Sequence, residues 1–282
     1  MSKVAIVTDS TAYIPKDLVE KYQITVAPQV LIWGDKTYRD GVDIQPEEFY
    51  TNIKKATVMP TTSQVTIASF HQIFSQLLED DRQVLAILIS QGVSGTIDSA
   101  LQARDMLPGS PIEIVDSRGT AMALGFQVLS AARLLESGAS MAEAKALAEK
   151  STQHIGVVFA VDTMEFLHRG GRIGSGTRFL GSALNIKPIL ELRDGVVQAV
   201  DRVRTRGKSL QRVVEIVEQR IAGRTPVRLA TLHANAPEDA QELLKLAQER
   251  IEAVETVFSE VSPVVGNHAG PGTVGLAFMA GM

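Results

Sequence analysis

An α/β fold in two domains, a first with a parallel sheet and a second of mixed-sheet α+β type, is what this sequence predicts. Three observations predict it. Up to residue 136, short apolar runs alternate with longer segments at helical spacing, the pattern of parallel strands joined by crossover helices. Beyond residue 153 the texture changes, and Asp194-Gly195 between two apolar runs is the strongest short hairpin signal in the chain. The length, 282 residues, also favours two domains over one. The boundary is expected at the polar run Lys150–His154, giving domains 1–153 and 154–282.

Each element has its own signal. Val4 to Thr8 is an apolar strand closed by Asp9, and Pro15 opens a short helix to about Tyr22. Ile24 to Trp33 reads as one β-rich strand, returning through Gly34-Asp35 as a hairpin over Thr37 to Val42. Pro46 starts a helix to about Ala56, and residues 58–65 read as a loop. Ile67, Phe70, Ile73, Phe74, Leu77 and Leu78 repeat at helical spacing. Val84 to Ile89 is a strand that breaks at Gln91-Gly92 and enters a helix through Ser94-Gly95-Thr96. Ile112 to Val115 is a strand, Thr120 to Glu136 a helix, and Ser140 with Glu143 forms a capping box for the next. In the second half, Gly156 to Val161 is a strand and Asp162 to His168 a short helix. A glycine-rich turn at 169–176 leads into a helix to about Leu184. The hairpin strands run Lys187 to Arg193 and Val196 to Val203. Helices over Lys208 to Ala222 and Pro237 to Ile251, and strands over Val227 to His233, Glu255 to Val261 and Thr273 to Met279, complete the chain.

Composition excludes several function classes. Net charge is −4, which argues against nonspecific nucleic-acid binding. There is no cysteine, hence no disulfide framework, thiolate metal site or cysteine nucleophile. His71, His154, His168, His233 and His268 lack metal-ligand spacing, so no metal and no cofactor are expected. Asp9 and Asp116 end strands and serve either a cation or the caps of the elements that follow. The N-terminal apolar run is too short for a signal peptide and no stretch reaches membrane-span length, so a cytoplasmic protein is expected. Aromatics are 5% of residues, so a large pocket would be lined by aliphatic side chains and methionine.

The junction at 87–100 is the first candidate site. A helix starting where a strand ends aims unpaired N–H groups and a positive dipole at one spot, which suits a carboxylate or phosphate. In an open α/β sheet ligands sit at the carboxyl ends of strands. Ser94 equally fits a plain helix cap. The glycine-rich turn carries Arg169 and Arg172 and fits either an anionic partner or a tight structural turn; its glycines lack dinucleotide or P-loop spacing. No Gly-x-Ser-x-Gly elbow surrounds Ser94. His268, in Gly266-Asn-His-Ala-Gly-Pro-Gly272, reads as part of a surface loop, and Thr61-Thr-Ser63 as a capping turn or a hydroxyl cluster.

Thr8-Asp-Ser-Thr11, Thr62-Ser-Gln64, Val93-Ser-Gly-Thr96, Gly170-Gly-Arg-Ile173 and His268-Ala-Gly-Pro-Gly272 occur in an order and spacing that resemble the DegV family, the FakB-type bacterial fatty-acid-binding proteins, over essentially the full length. The resemblance implies a two-domain α/β fold with a long-chain fatty acid, such as palmitate, in a tunnel between the domains. It implies that the Thr62 and Ser94 hydroxyls hold the carboxylate, with Ser63, the backbone at Gly95 and His268 close by. An arginine on the strand after the hairpin belongs near the head group or a partner surface. Arg204 matches it, with Arg202 beside it in the same run. Many members carry proline after Thr-Ser-Gln where this chain has Val65, which alters the stiffness of the loop.

The chemistry is consistent with that implication. A carboxylate leaving water needs donors: two hydroxyls, the N–H groups of Gly95 and Thr96, and a protonated His268 would supply them. Such charge-assisted bonds contribute about 1.5–3 kcal/mol each. The tail contributes about 0.8 kcal/mol per buried methylene, on the order of 10 kcal/mol gross for sixteen carbons. The expected function is therefore a non-enzymatic acyl carrier that presents its fatty acid to a separate FakA-type fatty-acid kinase and then retains the acyl-phosphate. The alternative is a hydrolase or phosphotransferase using Ser94 or His268 on a small carboxylate or phosphorylated substrate.

Overall fold

A strand needs backbone donors, and Pro28, which has none, divides one expected strand of this chain in two. The computed structural model describes residues 4–179 and 186–282. In its first half β1 (Val4–Asp9), α1 (Lys16–Lys21), β2 (Thr25–Ala27), β3 (Val30–Trp33), β4 (Lys36–Arg39), α2 (Pro46–Ile53), β5 (Thr61–Ser63), α3 (Ile67–Glu79), β6 (Gln83–Leu88), α4 (Thr96–Asp105), β7 (Ile112–Asp116), α5 (Ala121–Glu136) and α6 (Met141–Ser151) follow in order. The second half has β8 (Ile155–Ala160), α7 (Glu165–Arg169), β9 (Lys187–Arg193), β10 (Val196–Val203), α8 (Arg206–Ile221), β11 (Val227–His233), α9 (Pro237–Gln248), β12 (Glu255–Glu260), α10 (Pro263–Ala269) and β13 (Val274–Ala280).

The first sheet is parallel, in the order β2-β1-β6-β7. Its central strands β1 and β6 are buried on both faces, which is why they read as continuous apolar runs. Ala5, Val7, Val84 and Ala86 meet Phe70 and Phe74 of α3 and Ala100 of α4 on one face. Ile6, Leu85 and Ile87 belong with Met122, Phe126 and Leu129 of α5 on the other. The second sheet is mixed, in the order β10-β9-β8-β13-β11-β12. Only β11 and β12 pair in parallel. Its outer face is covered by α8 and α9. Its inner face shares one core with α5, whose residues 121–129 are all buried, as befits a helix wrapped on every side.

Three expectations need correction. Ile24 to Trp33 is two strands in two sheets: Ala27 pairs with Asp9 in the parallel sheet, then Pro28 interrupts the ladder and Val30 joins a three-stranded sheet β4-β3-β5. The expected loop at 58–65 contains β5, antiparallel to β3, with Thr62 opposite Leu31. The glycine-rich run ending at Gly272 is not a surface loop; Pro263–Ala269 form α10, and Val264, Gly266, Asn267 and Ala269 are buried. The helix expected to run to Leu184 begins as a 3-10 segment, Gly174–Phe179, and its continuation over 180–185 lies outside the described residues.

Candidate ligand-binding site

The site forms where the first sheet ends and the second sheet's inner face begins. Asp9, fully buried at the end of β1, accepts hydrogen bonds from the Thr11 N–H (3.0 Å), the Thr11 hydroxyl (2.6 Å) and the Ile89 N–H (2.7 Å). It therefore caps the 3-10 turn Ser10–Ala12 and anchors the exit of β6. Asp116 likewise accepts from the Arg118 N–H at 2.9 Å. Among the described residues no cluster of three potential metal ligands exists.

After β6 the chain turns through Ser90-Gln-Gly-Val-Ser94 into α4. The residue before the helix is Gly95, without a side-chain cap, so Ser94 stands one position earlier than an N-cap. Its hydroxyl lies 2.9 Å from Thr96 Oγ1, and the Thr96 N–H donates to it at 3.4 Å. From the other side the β9–β10 hairpin reaches in: the Ser90 hydroxyl donates to the Gly195 carbonyl at 2.8 Å.

Across the gap α10 is held by polar contacts to the first half. Tyr50 donates to the Val261 carbonyl (3.0 Å), and the Val264 N–H donates to the Asp40 carboxylate (3.2 Å), which also accepts from the Ser10 hydroxyl (2.6 Å). Burial pushes the Asp40 carboxyl up to about 6. This anchoring places His268 Nε2 2.7 Å from Thr62 Oγ1. Residue 170 is glycine because the ring leaves no room for more: a Cβ there would stand 2.0 Å from His268 Nδ1.

His268 is not the protonated donor the sequence led us to expect. Burial, then the guanidinium charges of Arg172 and Arg169, push it down to about 4, so it is neutral at pH 7. Its Nδ1 is buried without a hydrogen-bond partner among the described residues. Placing the single proton there would strand a donor, so Nε2 carries it and donates to Thr62. The Thr62 proton is then free to point elsewhere.

These side chains line a cavity of about 110 Å³. Its walls are mostly aliphatic, drawn from both halves: Ile89, Val93 and Ala121 from the first, Val157, Phe159, Leu167, Leu192, Val197, Leu232, Val261, Val264 and Val265 from the second. Thr62, Ser63, Ser94 and His268 all line it. Gly95 is not part of the lining; it packs against Gln64, whose Cδ would lie 3.3 Å from an added Cβ. Arg204 is exposed past the end of β10 and does not line the cavity. The arginine that does is Arg172, held by donation from Nε to the Val93 carbonyl (3.0 Å) and from Nη1 to the Gly170 carbonyl (2.7 Å). Its signal was the glycine-rich turn, which on spacing alone favoured a structural turn. Thr120, the residue capping α5, also lines the cavity, its hydroxyl buried and without a partner among the described residues. A lone threonine before a helix gives no sign of that. The arrangement is a mostly aliphatic chamber whose lining also carries hydroxyls and one guanidinium, suited to an amphiphile with an anionic head.

The family model described as "Uncharacterised protein, DegV family" matches residues 3–281. Protein DegV of Bacillus subtilis is 35% identical over 277 residues, 98% of each chain. The chain belongs to the DegV family. A DegV domain-containing protein of Streptomyces coelicolor is 37% identical, with 97% of each chain covered. Among solved structures, a DegV-family protein from Thermus thermophilus described for its fatty-acid binding superposes with a TM-score of 0.93 at 33% identity, covering 99% of both chains. DegV of Bacillus subtilis, described as a fatty acid binding protein, superposes with a TM-score of 0.89 at 33% identity, covering 99% of this chain and all of that one. Among the described residues of this DegV-family chain no helix is long and apolar enough to cross a membrane.

Proposed function

We propose that this chain binds a long-chain fatty acid, with the acyl tail in the aliphatic cavity and the carboxylate between Thr62 and Ser94, beside Arg172. The observation that carries the reading is the distribution of polarity: an aliphatic chamber whose Thr62, Ser94, His268 and Arg172 come from four separate stretches of chain. The names of structural relatives at 33% identity support it. Two domains, 1–153 and 154–282, belong to the reading; their support is that neither large sheet takes strands from both sides of that point. In it the chain is a carrier and not itself an enzyme. It presents the carboxylate to a separate ATP-dependent kinase and holds the acyl-phosphate formed, and the support for this step is the family resemblance.

The direct test is mass spectrometry of an organic extract of the purified protein, with titration of the stripped protein by palmitate. A recovered long-chain acid and saturable binding are expected. Binding weakened by Ser94→Ala and by Thr62→Ala in folded protein places the head group. An empty extract with no binding, or unchanged affinity in both variants, overturns the reading. Turnover of acyl-phosphate or ester by the protein alone, abolished by Ser94→Ala, would make it an enzyme instead.

A further inference from the structure

Behind Ser94 lies a chain of two buried polar groups: Thr96, which does not line the cavity, and Gln29, which does. Gln29 is 2% exposed and Thr96 fully buried. Gln29 Nε2 donates to Thr96 Oγ1 at 2.9 Å, and Thr96 Oγ1 lies 2.9 Å from Ser94 Oγ. The direction of each bond follows from what each atom has left to do. The end of the Gln29 amide that meets Thr96 is its NH2, which can only donate. Thr96 Oγ1 must then accept from Gln29. Its own proton has one remaining partner among the described residues, Ser94 Oγ; turned any other way it would be a buried, unpaired donor. Ser94 therefore accepts from the Thr96 hydroxyl, and weakly from the Thr96 N–H. Its lone pairs are engaged and its proton is the part left to face the cavity that Ser94 lines and Thr96 does not.

We propose that Gln29 and Thr96 are positioning residues that fix the Ser94 hydroxyl as a donor, so that the site favours an ionised carboxylate over an uncharged head group on the same acyl chain. This rests on the fatty-acid reading above. His268 sets Thr62 in the same sense by donating to it, so both hydroxyls have their protons to give before any ligand arrives. Such preorganisation spares the ligand the cost of turning them. An anion gains more from fixed donors than a neutral ester does.

The test compares palmitate with methyl palmitate, which share a tail and differ in the head. Thr96→Val keeps the shape of the side chain and removes the relay; Gln29→Met does so one bond further back and carries the test if the first variant does not fold. Each is expected to weaken palmitate about tenfold, the order of one charge-assisted hydrogen bond, and to leave methyl palmitate nearly unchanged. Thr96→Ser, which keeps the hydroxyl, restores the preference for the acid. Thr96→Val adds little to Ser94→Ala, because both act through one bond. If Thr96→Val lowers acid and ester affinity in equal proportion, or changes neither, the relay is wrong and fatty-acid binding stands. If the unaltered protein binds no palmitate, both fall.

Discussion

The two arginines of interest sit in different surroundings although both lie near glycines and apolar strands in the sequence. Arg172 is tied by Nε and Nη1 to two main-chain carbonyls, so its guanidinium is held at the cavity without a carboxylate partner among its described hydrogen bonds. Arg204 is exposed. A fixed cation near an anionic head strengthens binding by about 1.5–3 kcal/mol, while an exposed one adds little through screening. Arg172→Gln is therefore expected to weaken palmitate at pH 7.5 by about tenfold or more, and Arg204→Gln to leave it unchanged. Calorimetric titration of both variants checks this. Equal effects would mean that the head group lies nearer the end of β10 than the cavity places it. Arg172 also helps to keep His268 neutral: burial first, then the guanidinium charges of Arg172 and Arg169, drive the proton off the imidazole before it can serve as a cation.

Among the elements, those that form from their own residues were legible and those made by their neighbours were not. The strands β1 and β6, the capping box Ser140/Glu143 and the Asp194-Gly195 hairpin carry local signals that the fold keeps. The short strand β5 has no such signal. Thr-Thr-Ser is extended because β3 offers it a ladder, and β3 is free to do so because Pro28 ended β2. Likewise α10, Pro-Val-Val-Gly-Asn-His-Ala, is a poor helix former with two weak residues in its middle; burial against Tyr50 and Asp40 holds it. Since those two elements carry Thr62 and His268, half of the polar cluster could be named from motifs but not placed. The hairpin supplies an element-scale prediction. Gly195 has φ of +82°, and a Cβ there would stand 2.6 Å from Ser90 Oγ. Gly195→Ala is expected to cost about 1–3 kcal/mol in urea unfolding through backbone strain, and more if the Ser90 bond is lost. It should also weaken palmitate, because Leu192 and Val197 of the hairpin line the cavity. Wild-type stability would show that the tip does not dock on β6.

For the whole molecule the buried titrating groups make stability depend on pH, and two of them act in opposite senses. His268 falls from an ordinary 6.5 to about 4 on folding. Between those values the unfolded chain holds the proton and the folded one does not, so the contribution of His268 is complete above pH 6.5 and is lost as pH falls to 4. Asp40 rises from 3.8 to about 6. Between those values the folded chain holds the proton, so acidification relieves a cost that is present in full above pH 6. The two largely offset one another in the wild type, and single variants separate them. Relative to wild type, His268→Gln is expected to gain stability as pH falls from 6.5 to 4, by roughly 3 kcal/mol at about 1.36 kcal/mol per unit. Asp40→Asn is expected to lose relative stability over pH 6 to 4, with the opposite slope. Urea unfolding of ligand-stripped protein at intervals across pH 4–7 measures both differences while other groups cancel. Parallel curves for wild type and His268→Gln would mean that His268 titrates alike in the folded and unfolded chain. The ring would then be the neutral donor to Thr62 only above about pH 6.5 and would carry its charge into the site below it.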